Sequence, residues 1–318
     1  MEFPPIIPNT SLFGEIVGIN SPLFSPILRS LEEQEYDQED LDKKIATIFQ
    51  RIFCVIPAYL SVEQFKEING ACDPSTIEFY KKVHDLAMEN QNHALVALAE
   101  DISYYIPKIP SDPVEIRAWF ANPENQEAID SVTDVSLDGK GLNCLPHELI
   151  LLRRLEKLVL SNNQIQTLPD LFGTLISLKH LCMFHNDLTT LPASFTRLTK
   201  LEWLNLGSNL LVSLPEEFGN LGALRELGLH DNKLGSLPSS FSLLQSVSKL
   251  SLIYNNFTFV PEPLFQMKSL KELDLSNNFL PSPLPSDIES SLTEKGYLIG
   301  PQKAPEGGGG GGGGAAKV

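Results

Sequence analysis

The side chains of this chain that are best suited to metal or acid–base chemistry include six histidines and four cysteines. His180 and Cys182 are one residue apart, so on a β-strand they would face the same side and both reach one metal ion. A zinc ion needs three or four ligands within reach, however, and the neighbouring segments carry no second pair of this kind. The sequence therefore predicts no metal site and no cofactor.

Motifs for catalysis are also missing from the sequence. It contains no glycine-rich phosphate loop, no HExxH helix, no GxSxG turn and no protein-kinase signature. The segment Cys72-Asp73-Pro74 is a lone cysteine motif, and no supporting residues surround it. We therefore expect a non-catalytic protein, with an enzyme hidden in the N-terminal part as an open alternative.

Charge and cysteine usage narrow the classes of partner and compartment. Acidic residues outnumber basic ones by 40 to 24, which gives a formal net charge of −16. This excess argues against nucleic acid and an anionic membrane as partners, because both are bound through Lys and Arg. The four cysteines show no repeated spacing, so a reducing compartment is favoured over a disulfide framework. No run of 18 apolar residues predicts a membrane span.

A 23-residue repeat organises the chain from Leu155 to Asn278. Each copy begins with a leucine or valine, and an asparagine follows eight residues later. Thirteen residues after the start, each of the first five copies carries a leucine or valine followed by proline. The six starts are Leu155, Leu178, Leu201, Leu224, Val247 and Leu270. This period is typical of a solenoid, because one such unit is too small to bury its own apolar face.

The spacing within each copy predicts a short strand with one buried face. Two apolar residues are separated by one residue, as in Leu204-Asn205-Leu206, and stacked copies of this pattern would form a parallel sheet. The asparagine follows at a turn, where a buried amide must bond backbone groups of its own and adjacent copies. This predicted asparagine ladder consists of Asn163, Asn186, Asn209, Asn232, Asn255 and Asn278. On the return side, the core is closed by Phe195, Phe218 and Phe241.

The pattern LxxLxLxxNxLxxLPxxFxxL resembles the leucine-rich repeat family over residues 132 to about 285. The chain is similar both to leucine-rich repeat effectors of intracellular bacteria and to cytosolic scaffold-type proteins with the same repeat length. The resemblance implies an α/β solenoid, a horseshoe with short parallel strands on its concave face, preceded here by an all-α N-terminal domain. It also implies a binding module whose partners are usually held on the concave strands, and it does not imply catalysis.

Changes in composition predict four segments along the chain. Residues 1–26 read as a flexible leader, 27–130 as an all-α domain, 131–300 as the repeat domain with a C-terminal cap, and 301–318 as a disordered Gly-rich tail. Within the all-α domain, helices are expected at 41–56, 62–69 and 76–90. Another is expected around Leu95, Leu98 and Ile102, and two short ones begin near Pro113 and Pro123.

Both ends of the repeat stack need a cover, because a terminal coil exposes its apolar side. Trp119 and Ile129 are placed to cover the first coil, in which Lys140 replaces the asparagine. At the other end, Ile288, Leu292 and Tyr297 are expected to fold over the last coil.

Large aromatic residues occupy positions that should point away from the core. Interfaces are enriched in aromatic side chains, whereas a solvated strand face has no need of them. The predicted partner-binding residues are Phe184, His185, Trp203, Asn205, His230 and Tyr254. Scattered surface aromatics are the alternative interpretation.

We therefore expect a monomer that binds a protein partner on the concave side of the repeats. In the alternative, the protein is an adaptor or regulator whose helical domain recruits ubiquitin-ligase or GTPase signalling machinery. The expected compartment is cytoplasmic. The first twenty residues lack a basic segment followed by an apolar core, so secretion into a host cell without a general secretory signal is the other possibility.

Overall fold

A computed structural model describes residues 74–106, 108–294, 297 and 300–303 of the chain. The chain divides into two compact units, residues 1–92 and 93–318. The predicted leader, the predicted helices at 41–56 and 62–69 and nearly all of the Gly-rich tail lie outside the described residues.

Three α-helices precede the repeats in the described part of the chain. Helix α1 spans Pro74–Ile102, α2 spans Pro113–Ala121 and α3 spans Gln126–Ser131, with a 3₁₀ turn at Pro123–Asn125 before α3. The separate helices expected at 76–90 and around Leu95 are wrong, because α1 is continuous. The sequence between them, Asn90 to His93, contains neither proline nor glycine and gives the helix no reason to stop.

Helix α2 begins where the sequence predicts it. Asp112 precedes the helix, and its Oδ1 accepts hydrogen bonds from the backbone N–H groups of Val114 at 2.9 Å and Glu115 at 3.2 Å. Pro113 then occupies the first helical turn, where its missing N–H costs nothing. The turn after α2 repeats this arrangement, because Asn122 Oδ1 accepts from Glu124 N before Pro123–Asn125.

The repeats form a parallel sheet of seven three-residue strands within the described residues, in sequence order from β1 to β7. The strands are β1 Asp134–Ser136, β2 Lys157–Val159, β3 His180–Cys182, β4 Trp203–Asn205, β5 Glu226–Gly228, β6 Lys249–Ser251 and β7 Glu272–Asp274. Every residue pairs with the residue 23 positions further along, for example Leu204 with Leu227. The middle residue of each strand is buried, so the predicted α/β solenoid is confirmed.

The return side of the first six coils consists of short helices that follow the Leu-Pro or Val-Pro pairs. Five are 3₁₀ helices at His147–Leu151, Asp170–Thr174, Ala193–Arg197, Glu216–Asn220 and Ser239–Leu243, and the sixth is helix α4 at Pro263–Gln266. Four phenylalanine rings of this side are fully buried and stack in two pairs, with ring centroids 6.1 Å apart for Phe172 and Phe195 and 5.9 Å apart for Phe218 and Phe241. The predicted phenylalanine closure of the core is therefore present.

Buried asparagine side chains connect each coil to the one before it. Asn209 shows the arrangement: its Oδ1 accepts from Leu188 N at 3.0 Å, and its Nδ2 donates to Met183 O at 2.9 Å in the preceding coil. The same Nδ2 also approaches the carbonyls of Leu206 and Gly207 in its own turn. Equivalent bonds are made by Asn163, Asn186, Asn232, Asn255 and Asn278. Each amide thereby satisfies backbone groups that the turn would otherwise leave unbonded in the interior.

The N-terminal edge of the sheet is covered by the helices. The carboxylate of Asp101 in α1 accepts a hydrogen bond at 3.0 Å from the backbone N–H of Ser136 in the edge strand β1. Ile129 is 1% exposed and Trp119 packs against the same core, as the sequence predicts. The edge strand therefore presents fewer free groups for pairing with another chain. Arg117 in α2 adds an ion pair to the largely buried Glu148 of the first coil, at 3.6 Å.

The C-terminal edge is closed by residues 300–303 together with helix α5, Ser286–Glu294. Leu292 and Tyr297 are buried, Ile288 packs against the core, and Tyr297 Oη donates to Leu270 O, so the predicted cap is present. Gln302 occupies the place of a seventh ladder asparagine. Its Oε1 accepts from Leu280 N at 3.4 Å and its Nε2 donates to Leu275 O at 3.2 Å, the bonds that an asparagine at 301 would make.

No helix in the described residues is both long and apolar enough to cross a membrane.

We predict that Asn255→Ala destabilises the protein strongly. The substitution leaves the N–H of Leu234 without a partner and removes one of the two hydrogen bonds to the carbonyl of Leu229, in a site where the asparagine is 0% exposed, at a cost of about 2 to 3 kcal/mol. The matched control is Asn256→Ala, which removes the adjacent, exposed asparagine and should cost less than about 1 kcal/mol. Urea unfolding followed by circular dichroism measures both. Equal losses in the two variants would contradict the interior role of the amide.

Candidate functional site

The side of the sheet that faces away from the leucine core is formed by four residues of each coil. We call it the strand-side surface and define it as the first and third residues of each strand together with the second and third residues after the strand. The last of these positions has a positive φ in every coil, including 56° at His185 and 58° at Tyr254. This conformation is uncommon for residues other than glycine. Because the backbone conformation is the same in every coil, the side chains at this position leave the turn in the same direction.

A groove of about 560 Å³ crosses four strands at this surface. Trp203 and Asn205 of β4 stand at one end, and Glu272 and Asp274 of β7 stand at the other. Its floor includes Gly228, which has no side chain, so that the amide of Asn205 lies over its α-carbon. Asn205 Oδ1 is held in place by a 2.9 Å hydrogen bond from Gly207 N. The groove is therefore a depression in a row that would otherwise be filled by side chains.

Phe184 and His230 meet across a second glycine. Residues 184, 207 and 230 occupy the same position in successive coils, and the ring centroids of Phe184 and His230 are 5.8 Å apart. The contact exists because Gly207 between them is small: a Cβ built there would lie 2.1 Å from His230 Cε1. Phe184 also contacts His185, with a centroid distance of 5.9 Å. The imidazole of His230 lines the edge of the groove.

Burial of His230 lowers the pKa of its imidazole, because the charged form loses hydration, and the neighbouring Asp231 carboxylate offsets part of this shift. Asp231 also accepts a hydrogen bond from Ser208 Oγ at 3.0 Å. The neutral form of His230 is therefore favoured at neutral pH, and the ring acts as an aromatic surface.

Charged side chains alternate along the first position of strands β5 to β7. Lys249 Nζ lies 3.8 Å from a carboxylate oxygen of Glu226 and 3.7 Å from one of Glu272, so one ammonium is shared by two carboxylates. Asp274, at the third position of β7, accepts a hydrogen bond from Ser276 N at 2.8 Å. The three carboxylates and the single ammonium leave this end of the groove negative.

Tyr254 is 49% exposed and lies at the edge of the strand-side surface. Lys303 places its ammonium 5.9 Å from the Tyr254 ring centroid and 5.0 Å from that of Phe279. The same ammonium donates to the backbone carbonyl of Asn255 at 3.2 Å. The aromatic rings at this edge therefore already hold one cation from the chain itself.

The structure divides the six predicted partner-binding residues into three groups. Trp203, Asn205 and His230 line the groove, Phe184 and His185 lie beside it, and Tyr254 contacts Lys303. Phe184 and Trp203 belong to adjacent coils but do not lie side by side. Trp203 pairs with His180 at the start of the strands, whereas Phe184 lies beyond the end of β3.

The prediction from the sequence did not include the charged lining residues Glu226, Lys249, Glu272 and Asp274. It also missed Gly228, which lies in the groove, and Gly207, which lets His230 approach Phe184. Alignment of the copies would have revealed the two glycines, because each replaces a side chain in its column.

The histidine and cysteine on β3 do not form part of a metal site in the structure. Cys182 is only partly exposed, and its sulfur accepts a hydrogen bond from Ser161 Oγ at 2.9 Å. Among the described residues, no group of three or more histidine, cysteine, aspartate or glutamate side chains is placed to hold a metal ion.

The second to sixth coils each combine a short parallel strand, an interior asparagine and a short helical return, and this combination defines a leucine-rich repeat solenoid. Family models agree with this architecture. Residues 190–234 match a model described as leucine rich repeat, residues 153–194 match one for two copies of the repeat, and residues 269–291 match a third leucine-rich repeat model. The chain is a leucine-rich repeat protein.

Solved structures of bacterial leucine-rich repeat proteins resemble the chain. An internalin from Listeria monocytogenes is 23% identical, with a TM-score of 0.53 over 64% of this chain and 54% of that one, and it shares the fold. A leucine-rich repeat protein of Leptospira interrogans is 31% identical, with a TM-score of 0.46 over 53% of this chain and 48% of that one. The chain thus spans about half the length of each structure. No curated protein matches the chain.

We predict that Gly207→Ala moves the imidazole of His230 away from Phe184. The added methyl group would overlap the ring, which is the movable end of its side chain. A displaced ring is better hydrated, so its pKa should rise toward the ordinary value of about 6.5.

An NMR titration of His230 measures this change. Gly222→Ala is the matched control, because nothing lies within 4 Å of a Cβ built at that glycine. The control should leave the pKa of His230 unchanged. An unchanged pKa in Gly207→Ala would contradict the packing described.

Proposed function

We propose that this protein is a non-catalytic interaction protein that binds a protein partner on its strand-side surface, centred on the groove from Trp203 to Asp274. The observation that carries the proposal is Trp203 itself. It is a large, partly exposed aromatic side chain beside a groove of about 560 Å³, on a surface where the neighbouring first-position residues are charged or histidine.

The energetics of protein interfaces favour Trp203 as the centre of the binding site. Tryptophan is enriched among interface residues that contribute most to binding, because it buries a large area at low entropy cost. The groove gives a partner side chain a recess beside Trp203, because Gly228 projects no side chain and the amide of Asn205 lies against that glycine.

The rigidity of the surface also favours binding. Each strand is fixed by its neighbours and by the asparagine behind it, so the side chains are positioned before a partner arrives. Preorganised surfaces lose less conformational entropy on association than flexible loops do.

The adaptor alternative depends on the helices before the repeats. The described helices from residue 93 onward cover the first coil, through contacts of Asp101, Arg117 and Ile129. These contacts assign the helices a role in stabilising the repeat stack. The simpler function, binding on the repeats, is therefore the one that the described contacts favour. A cut at residue 130 would uncover the first coil, so the two functions are best separated with point variants of the full chain.

We predict that Trp203→Ala weakens partner binding by about 2 kcal/mol, or roughly thirtyfold in Kd. The partner is first identified by proximity labelling in the native cell and then purified, and calorimetry gives Kd for the full-length protein. Phe259→Ala is the matched control, because this aromatic is 55% exposed but lies outside the strand-side surface. Equal Kd values for the two variants and the parent protein, with all three folded, would contradict the proposal.

A further inference from the structure

The negative charge of the repeat domain is concentrated on the strand-side surface. Residues 131–300 contain 17 acidic and 13 basic residues. Six of the acidic residues and two of the basic ones lie on the strand-side surface: Asp134, Asp138, Glu226, Asp231, Glu272 and Asp274, with Lys157 and Lys249. The remaining positions hold 11 of each sign and are therefore neutral in sum. The excess charge of this domain thus belongs to the surface that we propose as the interface.

Within the groove, carboxylates still outnumber ammonium groups after the ion pairs of the chain itself are counted. Lys249 is the single basic residue of the lining, and it lies between Glu226 and Glu272. Asp274 at the far end adds a third carboxylate. A partner that presents carboxylates here would meet like charge in a partly desolvated site, whereas basic side chains would complete the pairing.

At the C-terminal edge of the sheet, beside the groove, a basic side chain of the chain itself is already bound. Residues 300–303 are seated at the C-terminal edge of the sheet, and Lys303 reaches from them to the rings of Tyr254 and Phe279 and to the carbonyl of Asn255. A cation over aromatic rings, bonded to a turn carbonyl, is thus already one mode of contact at the edge of the strand-side surface. Trp203 offers a larger ring of the same chemistry within the groove.

The geometry of the groove limits how basic residues can be spaced. Its lining comes from β4, β5, β6 and β7, so its long direction crosses the strands. Neighbouring strands are about 4.8 Å apart, so the distance from the Trp203–Glu226 end to the Glu272–Asp274 end is roughly 10 to 14 Å. An extended chain advances about 3.3 Å per residue, and this distance corresponds to three or four residues.

We propose, building on the proposed function, that the groove binds an extended segment of the partner protein that carries two basic residues three or four positions apart. The first, best met by arginine, stacks on Trp203 and pairs with Glu226. The second pairs with Glu272 and Asp274. Arginine suits the first position because its planar guanidinium stacks on an indole ring and also binds a carboxylate in a bidentate manner.

A selection of short random peptides displayed on phage, with the full-length protein as the target, tests this proposal. Peptides that bind should be enriched in pairs of Arg or Lys at the stated spacing. The double charge reversal Glu226→Lys/Glu272→Lys should weaken the selected peptides by at least about tenfold, and their binding should weaken as NaCl increases. Asp170→Lys/Glu217→Lys is the matched control, because it makes the same change in net charge at exposed positions on the return side and should alter Kd less than about twofold.

The outcomes separate this inference from the proposed function. If the selected peptides lack paired basic residues, or if the groove reversal acts no more strongly than its control, the inference is overturned. Trp203→Ala tests the proposed function in the same assay. If binding is lost in Trp203→Ala, the proposed interface in the groove stands even when the basic segment is excluded. If binding is unchanged in both Trp203→Ala and the groove reversal, the inference and the proposed function are both overturned.

Discussion

The hydrogen bonds of six buried asparagine amides are the interaction on which the rest of this structure depends. Each amide bonds a backbone N–H and a carbonyl of the preceding coil while also bonding carbonyls of its own turn. The chain can turn inward after every strand only because these groups are satisfied without water. The amides thereby hold successive strands in register, and the leucines between them fill the interior. The side chains on the opposite side of the sheet form a regular row that takes no part in the leucine core.

The stability of a repeat stack depends on how its two end coils are covered, because each coil is covered only by its neighbours and an end coil has just one. The two ends are closed by different means with the same result. At the first strand a helix carboxylate, Asp101, accepts from the edge backbone, and at the last strand Gln302 makes the bonds of a further ladder amide. The groove extends from β4 to β7. Strands β4, β5 and β6 have a neighbouring strand on both sides, and β7 pairs with β6 and lies beside the C-terminal cap.

The features predicted from the sequence are those that repeat. The strands recur in all seven coils, the interior asparagines in six and the buried phenylalanines in four, so one unit predicts most of the others. Features that occur once were harder to predict. The continuous helix α1 was divided because the apolar spacing is irregular near Asn92, and Gln302 gave no signal because it lies one residue outside the frame with a longer side chain. The groove was missed for a related reason, since its lining includes Gly228, a position without a side chain.

Site-specific photo-crosslinking tests the central claim, that the asparagine ladder leaves the strand side as the surface that meets a partner. A photoreactive amino acid is placed at position 226 on strand β5, or at position 217 in the return segment of the preceding coil, in the full-length protein. Illumination in the native cell should yield a crosslinked protein partner from position 226 and none from position 217. A partner captured from position 217 alone would contradict the account.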